Sequence, residues 1–267
     1  MWFQNEFTDH AAFLPLKHAA SPFENYEHWP SVNDYNKNIC QLVLNNQNKA
    51  IQFISQAQSR FETLEDNYEP RIYLKGEVLT REESWHDFFN FLVWQTFPKA
   101  KALLNAKQYK DIISQQQKCL KSRTKLQNRL THFDECGMIV LGADEKYFEL
   151  LKQHRWLEVF WNRRDELGGN LKFILFGHAL YEKLLEPYIG LTAKAVMIKA
   201  DASTLNADIK TQNNFVDNWL INHFDFWTEN KLQAIPILGI PGWYEANKEK
   251  NFYENKQYFR KANINTL

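Results

Sequence analysis

The sequence predicts an α+β fold, a single helix-rich domain around a small mixed β-sheet. Apolar residues return at spacings of three and four over several long stretches, the period of an amphipathic helix. Only a few short apolar runs, such as Met138 to Leu141 and Phe173 to Phe176, have the length of strands. An aromatic fraction of 15% with only 9 glycines and 8 prolines, and no repeat or linker, points to one packed domain over residues 1–267.

Residues 1–35 carry Pro15, Pro22 and Pro30 among aromatics, which predicts an irregular, extended N-terminal arm packed on the domain. Asn38 to Leu64 reads as a helix from Ile39, Leu42, Val43, Ile51 and Ile54, and Arg71 to Val78 as a short strand and turn. Two capping-box spacings follow, Thr80 with Glu83 and Ser84 with Asp87, each able to open a helix over Trp85 to Trp94. On it Trp85, Phe88, Phe89, Leu92 and Val93 form the buried stripe, and His86 and Asn90 share an adjacent face.

Pro98 ends or kinks that helix, and residues 100–125 read as one or two more. Cys136 to Leu141 reads as a buried strand and Glu145 to Trp161 as a helix; if His132 to Cys136 is already extended, His132, Asp134 and Cys136 point one way and Phe133 and Glu135 the other. Lys172 to Phe176 is a second strand running through Gly177 into a helix over His178 to Leu185. Ala195 to Ile198 is a third strand, Asn213 to His223 a helix, and Ile235 to Gly239 a late strand before an aromatic tail.

Lys+Arg 32 against Asp+Glu 32 removes the simplest electrostatic case for a nucleic-acid or anionic-membrane partner. Charge is nevertheless uneven: nine basic residues lie between Lys99 and Arg129, where Asp111 is the one acid. This reads either as a phosphate-holding surface or, as charge runs usually do, as a solvated face. Cys40, Cys119 and Cys136 fit neither a disulfide framework nor a metal motif. With no signal-like start and no apolar run near the ~20 residues of a span, the expectation is a cytoplasmic protein without a membrane partner. Oligomeric state is open.

Four separated motifs stand in order: His86-Asp87, Phe133-Asp134-Glu135, Gly177-His178-Ala179-Leu180-Tyr181-Glu182 and Pro241-Gly242-Trp243. In them the chain resembles a bacterial family catalogued as domain of unknown function 3025, from about Arg71 to Arg260. Members often carry an apolar residue where this chain has His132. The resemblance implies no activity.

Chemistry must therefore come from the residues. Imidazole and carboxylate converging from separate elements make a divalent-metal site. His178 and Glu182 are one helical turn apart, and His86, Asp87 and Asp134 could complete the set around one divalent ion. A metal-free site would use His86 or His178 as general base, oriented by Asp134 or Glu135. The bland alternative is that the same groups cap turns and satisfy one another in a buried network.

Arg81, Trp85, Asn90, Tyr181 and Trp243 are the candidate substrate contacts. The expected ligand is a small anionic or phosphate-bearing molecule and the expected reaction is hydrolysis. A non-catalytic binding or scaffold role is the alternative.

Overall fold

A computed structural model describes residues 10–59, 62–120 and 122–262. The sheet at its centre has four strands: β3 (Gly137–Gly142), β4 (Leu171–Leu175), β5 (Thr192–Lys199) and β6 (Gln233–Pro236), in the order β4-β3-β5-β6. β3 runs parallel to β5 and antiparallel to β4, with Met138 opposite both Leu175 and Ala195, and β5–β6 is antiparallel. The sheet is thus small and mixed, as expected. Every residue of β3 is buried, which a central strand covered on both faces demands. A second sheet pairs β1 (Gln52–Ser55) with β2 (Glu77–Thr80) in parallel.

Helices surround these sheets. In chain order they are α1 (Lys17–Ala20), α2 (Val32–Lys37), α3 (Tyr68–Lys75), α4 (Trp85–Thr96), α5 (Pro98–Gln117), α6 (Lys125–Cys136), α7 (Glu145–Lys152), α8 (Arg164–Asn170), α9 (His178–Leu185), α10 (Ala202–Leu205), α11 (Ile209–Asn222) and α12 (Phe224–Glu229). α4 is the hub. Its residues Phe88 to Val93 are buried without exception, and they meet both the N-terminal turns and α9.

Several sequence expectations fail for identifiable reasons. No helix spans 38–64 among the described residues. The Asn45 side chain accepts the backbone N–H groups of Gln47 and Lys49, making a tight turn with Asn48 at φ 56°, and Leu44 bridges to Ala50. Local side-chain capture of the backbone outcompetes helix here. Residues 71–78 are not a strand and turn. Pro70 lies in the first turn of α3, where its missing N–H costs nothing, and left-handed Gly76 ends that helix before β2.

His132 to Cys136 is the last turn of α6 rather than extended. The Thr124–Gln127 capping box starts the helix, and Leu130 and Phe133 carry its buried stripe to Gly137. The helix expected over 145–161 stops at Lys152; His154 is left-handed at φ 56°, and a wide turn follows over Glu158–Asn162. The late strand begins and ends earlier than 235–239 and gives way to a tight turn, Ile237–Gly239.

Residues 10–37 form short helical turns rather than an extended path; residues 1–9 of the expected arm lie outside the described residues. These turns supply core. The Phe13 ring packs on Phe89 and Tyr181, and Phe23 meets Phe88 and Phe91 edge-on. No helix among the described residues is long and apolar enough to cross a membrane.

Candidate functional site

α4 begins at Ser84, whose hydroxyl accepts the Asp87 N–H. Of the two capping choices the chain uses this one, and only half of the box forms. The Asp87 carboxylate turns instead to Arg81, taking its backbone N–H at 2.6 Å and its guanidinium Nε and Nη2 at 2.9 Å each. This fork geometry fixes the entry to the helix and so the direction of His86, one residue earlier. Asp87 is thereby occupied, and Arg81 stands at the rim with its side chain half exposed.

α9 and α6 bring the other groups. Gly177 joins β4 to α9 where the chain comes closest to the α6–β3 junction: a Cβ there would lie 2.5 Å from both the Glu135 carbonyl oxygen and the Gly137 nitrogen. Glycine is required by this close approach rather than by its φ of −67°. Glu135 and His178 are therefore held near one another.

The result is a compact constellation. His86 Nε2 and His178 Nε2 face one another at 3.0 Å, and Glu135 Oε1 lies 3.8 Å from His178 Nε2. These three residues form a group that could hold a metal ion, with one ligand atom from each within 4.8 Å of the others. Two nitrogens bound tetrahedrally at about 2.0–2.1 Å from one ion would sit about 3.3 Å apart, close to the separation seen.

Of the outward nitrogens, one is hydrogen-bonded and the other faces a carboxylate. His86 Nδ1 donates to Glu182 Oε2 at 3.0 Å, since a carboxylate only accepts. His178 Nδ1 is turned toward Asp134 Oδ2, 3.8 Å away, and is buried without a hydrogen bond among the described residues. In the tautomer with both Nδ1 atoms protonated, two Nε2 lone pairs face each other and call for a cation between them; in the other, one Nε2–H donates to its neighbour. Carboxylates behind imidazoles are the usual means of orienting metal-binding histidines.

Electrostatics favour an uncharged His178 ring. Burial pushes the His178 pKa down to about 3, helped by the Lys101 and His86 charges and opposed by Asp134, so its imidazole is neutral at pH 7. Burial raises the Asp134 carboxyl, but Lys101, His178 and His86 more than offset this and hold it below its ordinary range. Glu135 moves the other way, raised first by burial and then by Asp134 against the pull of His86 and Lys101.

Asp134 belongs to a buried network beneath the histidines. Lys101 Nζ donates to Asp134 Oδ1 at 2.6 Å and to Asn90 Oδ1 at 2.9 Å, and Asn90 Nδ2 donates to the Tyr68 hydroxyl at 2.8 Å. Next to it, Glu69 accepts from Asn105 Nδ2 at 2.7 Å and Gln108 Nε2 at 2.9 Å. Burial, with the Asp134 charge adding to it, raises the Glu69 pKa to about 7.

All of this opens into a cavity of about 670 Å³. Arg81, His86, Asp87, Asn90, Asp134, Glu135 and His178 line it, so the three motif segments converge there. Glu182 backs His86 from behind. Trp85, Tyr181 and Trp243 do not line it: Trp85 stacks on Phe89, the Tyr181 hydroxyl donates to the Leu175 carbonyl, and the Trp243 carbonyl faces His10 Nε2.

Lys101, Glu69 and Gln108 line or underlie the site without being singled out in the sequence. Their signal was present: Lys101, Asn105, Gln108, Ile112 and Gln115 recur at the helical period along α5. Lys101 was hidden within the basic run, yet only 4% of its side chain is exposed.

No curated protein and no solved structure matches the chain. A family model described as protein of unknown function (DUF3025) matches residues 51–263, a stretch that contains every residue of the constellation above, and the chain belongs to that family.

Proposed function

We propose that the protein is a metal-dependent hydrolase acting on an anionic, phosphate-bearing small substrate. The observation that carries this reading is the confrontation of His86 Nε2 and His178 Nε2 at 3.0 Å beside Glu135, with a carboxylate behind each ring. Two histidines and one glutamate make a donor set familiar from hydrolytic zinc sites. A divalent ion held there supplies Lewis-acid polarisation of a phosphoryl or carbonyl oxygen.

The chain's own groups fill the remaining roles. Arg81, tied to Asp87 through Nε and Nη2, keeps Nη1 for an incoming anion at the rim, and Asn90 and Lys101 hold Asp134 in place behind His178. The test is elemental analysis of protein purified without chelator or affinity-tag metal, alongside His178→Ala and Glu135→Ala. Near-stoichiometric metal, removed by both substitutions with the fold intact, supports the reading and directs a phosphoester screen in that metal.

A second reading is favoured by one observation, the mutual satisfaction of Lys101, Asp134, Asn90 and Tyr68. In it the cluster is a structural junction of a binding or scaffold protein. It requires metal-free protein in every preparation and a large fall in melting temperature for both substitutions.

A further inference from the structure

The cavity is longer than the chemistry at His86 and His178 requires. It follows the groove between α5 and α6, lined on one side by Gln108, Ile112 and Gln115 and on the other by Gln127, Thr131 and Glu135. From Glu135 back to Gln127 is a little over two helical turns, about 12 Å. A bare phosphate group occupies less than half of that reach.

The far end has a fixed hydrogen-bond polarity. Asp111, as a carboxylate, only accepts, and it takes the Gln115 Nε2 group at 3.2 Å and the Thr124 hydroxyl at 2.6 Å. Gln115 Nε2 also donates to Gln127 Oε1 at 2.7 Å, and the Thr124 backbone N–H donates to the same oxygen at 3.3 Å. Both amide orientations are thereby set. Gln127 Nε2 and Gln115 Oε1 make no hydrogen bond among the described residues, although Gln127 is only 4% exposed. Alongside them, Arg123 Nη2 donates to the Thr131 hydroxyl at 2.5 Å, leaving its other N–H groups to the rim.

An open amide donor beside an amide acceptor suits a neutral group better than an anion, which Arg123 would draw to the rim but Gln115 Oε1 and Asp111 would repel deeper in. It suits a hydroxyl, which donates and accepts at once, and two neighbouring hydroxyls suit it better. The geometry points to a subsite at Gln115, Gln127, Thr131 and Arg123 that holds the hydroxyl-bearing, sugar-like end of the substrate while its anionic end meets His86, His178 and Arg81. This rests on the metal-hydrolase reading for the anionic end and adds the substrate class: a phosphorylated sugar or polyol.

The test uses the full chain loaded with Zn²⁺ and two probes in calorimetric titration. Glucose 6-phosphate carries the hydroxyls; hexyl phosphate has similar reach and none. Glucose 6-phosphate is expected to bind at least about tenfold tighter, the loss typical of leaving one or two polar groups unpaired. Gln127→Met removes the free donor without adding charge, at the loss of the side-chain half of the α6 capping box. Gln115→Met, which spares the α6 cap, is the second variant should the first fail to fold.

Either variant is expected to bring the two affinities together by weakening glucose 6-phosphate alone. Equal binding of the two probes to the unaltered protein, or equal weakening of both by the variants, overturns the subsite while leaving the metal and anion reading standing. Binding of neither probe overturns both.

Discussion

The Lys101 ammonium lies 2.6 Å from Asp134 Oδ1, with Lys101 buried and Asp134 half-buried beside His178. Lys101 also sits over the Trp94 ring. Removing one partner of such a pair strands the other charge in a poorly solvated place, so Lys101→Met is expected to destabilise the fold by roughly 3–5 kcal/mol. A double variant, Lys101→Met with Asp134→Leu, is expected to recover most of that loss in chemical denaturation. Because the folded Asp134 pKa is depressed, its contribution is present above its unfolded value of 3.8 and is lost as pH falls through the folded value. Replacing Lys101 is therefore expected to remove this pH-dependent part of the stability, which the unaltered protein keeps down to the folded Asp134 value.

Glu182 touches the site only through His86 Nδ1. Glu182→Ala is expected to leave the melting temperature within a few degrees of its starting value while weakening metal binding about 10–100-fold, the usual effect of removing the group that orients a ligand histidine. A competition titration against a chromophoric chelator measures it.

Glu69 offers a test with a sign. Its folded pKa is raised to about 7 from an ordinary 4.5, chiefly by burial. Between those values the folded protein retains a proton that the unfolded chain has released, so stability falls as pH rises from about 4.5 to about 7. Glu69→Gln removes this slope. Relative to the unaltered protein, the variant is expected to gain roughly 3 kcal/mol across that window in denaturation curves.

Asp217 of α11 caps α5 from outside, accepting the Ala100 N–H at 2.8 Å and the Lys99 N–H at 3.2 Å. No side chain of the preceding segment does this, since the helix opens on Phe97 and Pro98. Asp217→Ala is expected to cost about 1–2 kcal/mol, and Asp217→Asn less, because one amide oxygen can still accept. Thermal melts of both variants decide it.

Phe23 tests whether the N-terminal turns are structural. It is 1% exposed and packs against Tyr35, Phe88 and Phe91. Phe23→Ala is expected to cost about 3–5 kcal/mol, as for other buried phenylalanines. This holds although residue 23 precedes the stretch matched by the family model.

What was legible in the sequence is what depends on local period. The buried stripe of α4, the runs that became β3, β4 and β5, and the helix after Gly177 follow from spacing alone. Their helix-rich, mixed-sheet class follows with them. The misreadings cluster where side chain competes with backbone. Asn45 captures two amides and ends any helix through residues 45–49, and Thr124 with Gln127 commits His132 to a helix rather than a strand.

The candidate site divides in the same way. His86, Asp134, Glu135 and His178 stood out as polar residues set among aromatics. Glu182 stood out through its helical spacing from His178. Their pairing did not, because which carboxylate backs which imidazole depends on how α4, α6 and α9 meet. Lys101 was concealed by its neighbours' charge, although its period with Asn105 and Gln108 marked the inward face of α5.

Gly177 gives the constellation an unusual mechanical property. The gap between α9 and the end of α6 is set by the radius of a single hydrogen atom, since even a methyl group would overlap backbone on the far side. Backbone cannot rotate away as a side chain can, so the two segments act as jaws closed on a fixed stop. Gly177→Ala would therefore be felt less as a local bump than as a wider bite between Glu135 and His178. The width of that bite is set by a residue that stands outside the His86, Glu135 and His178 group.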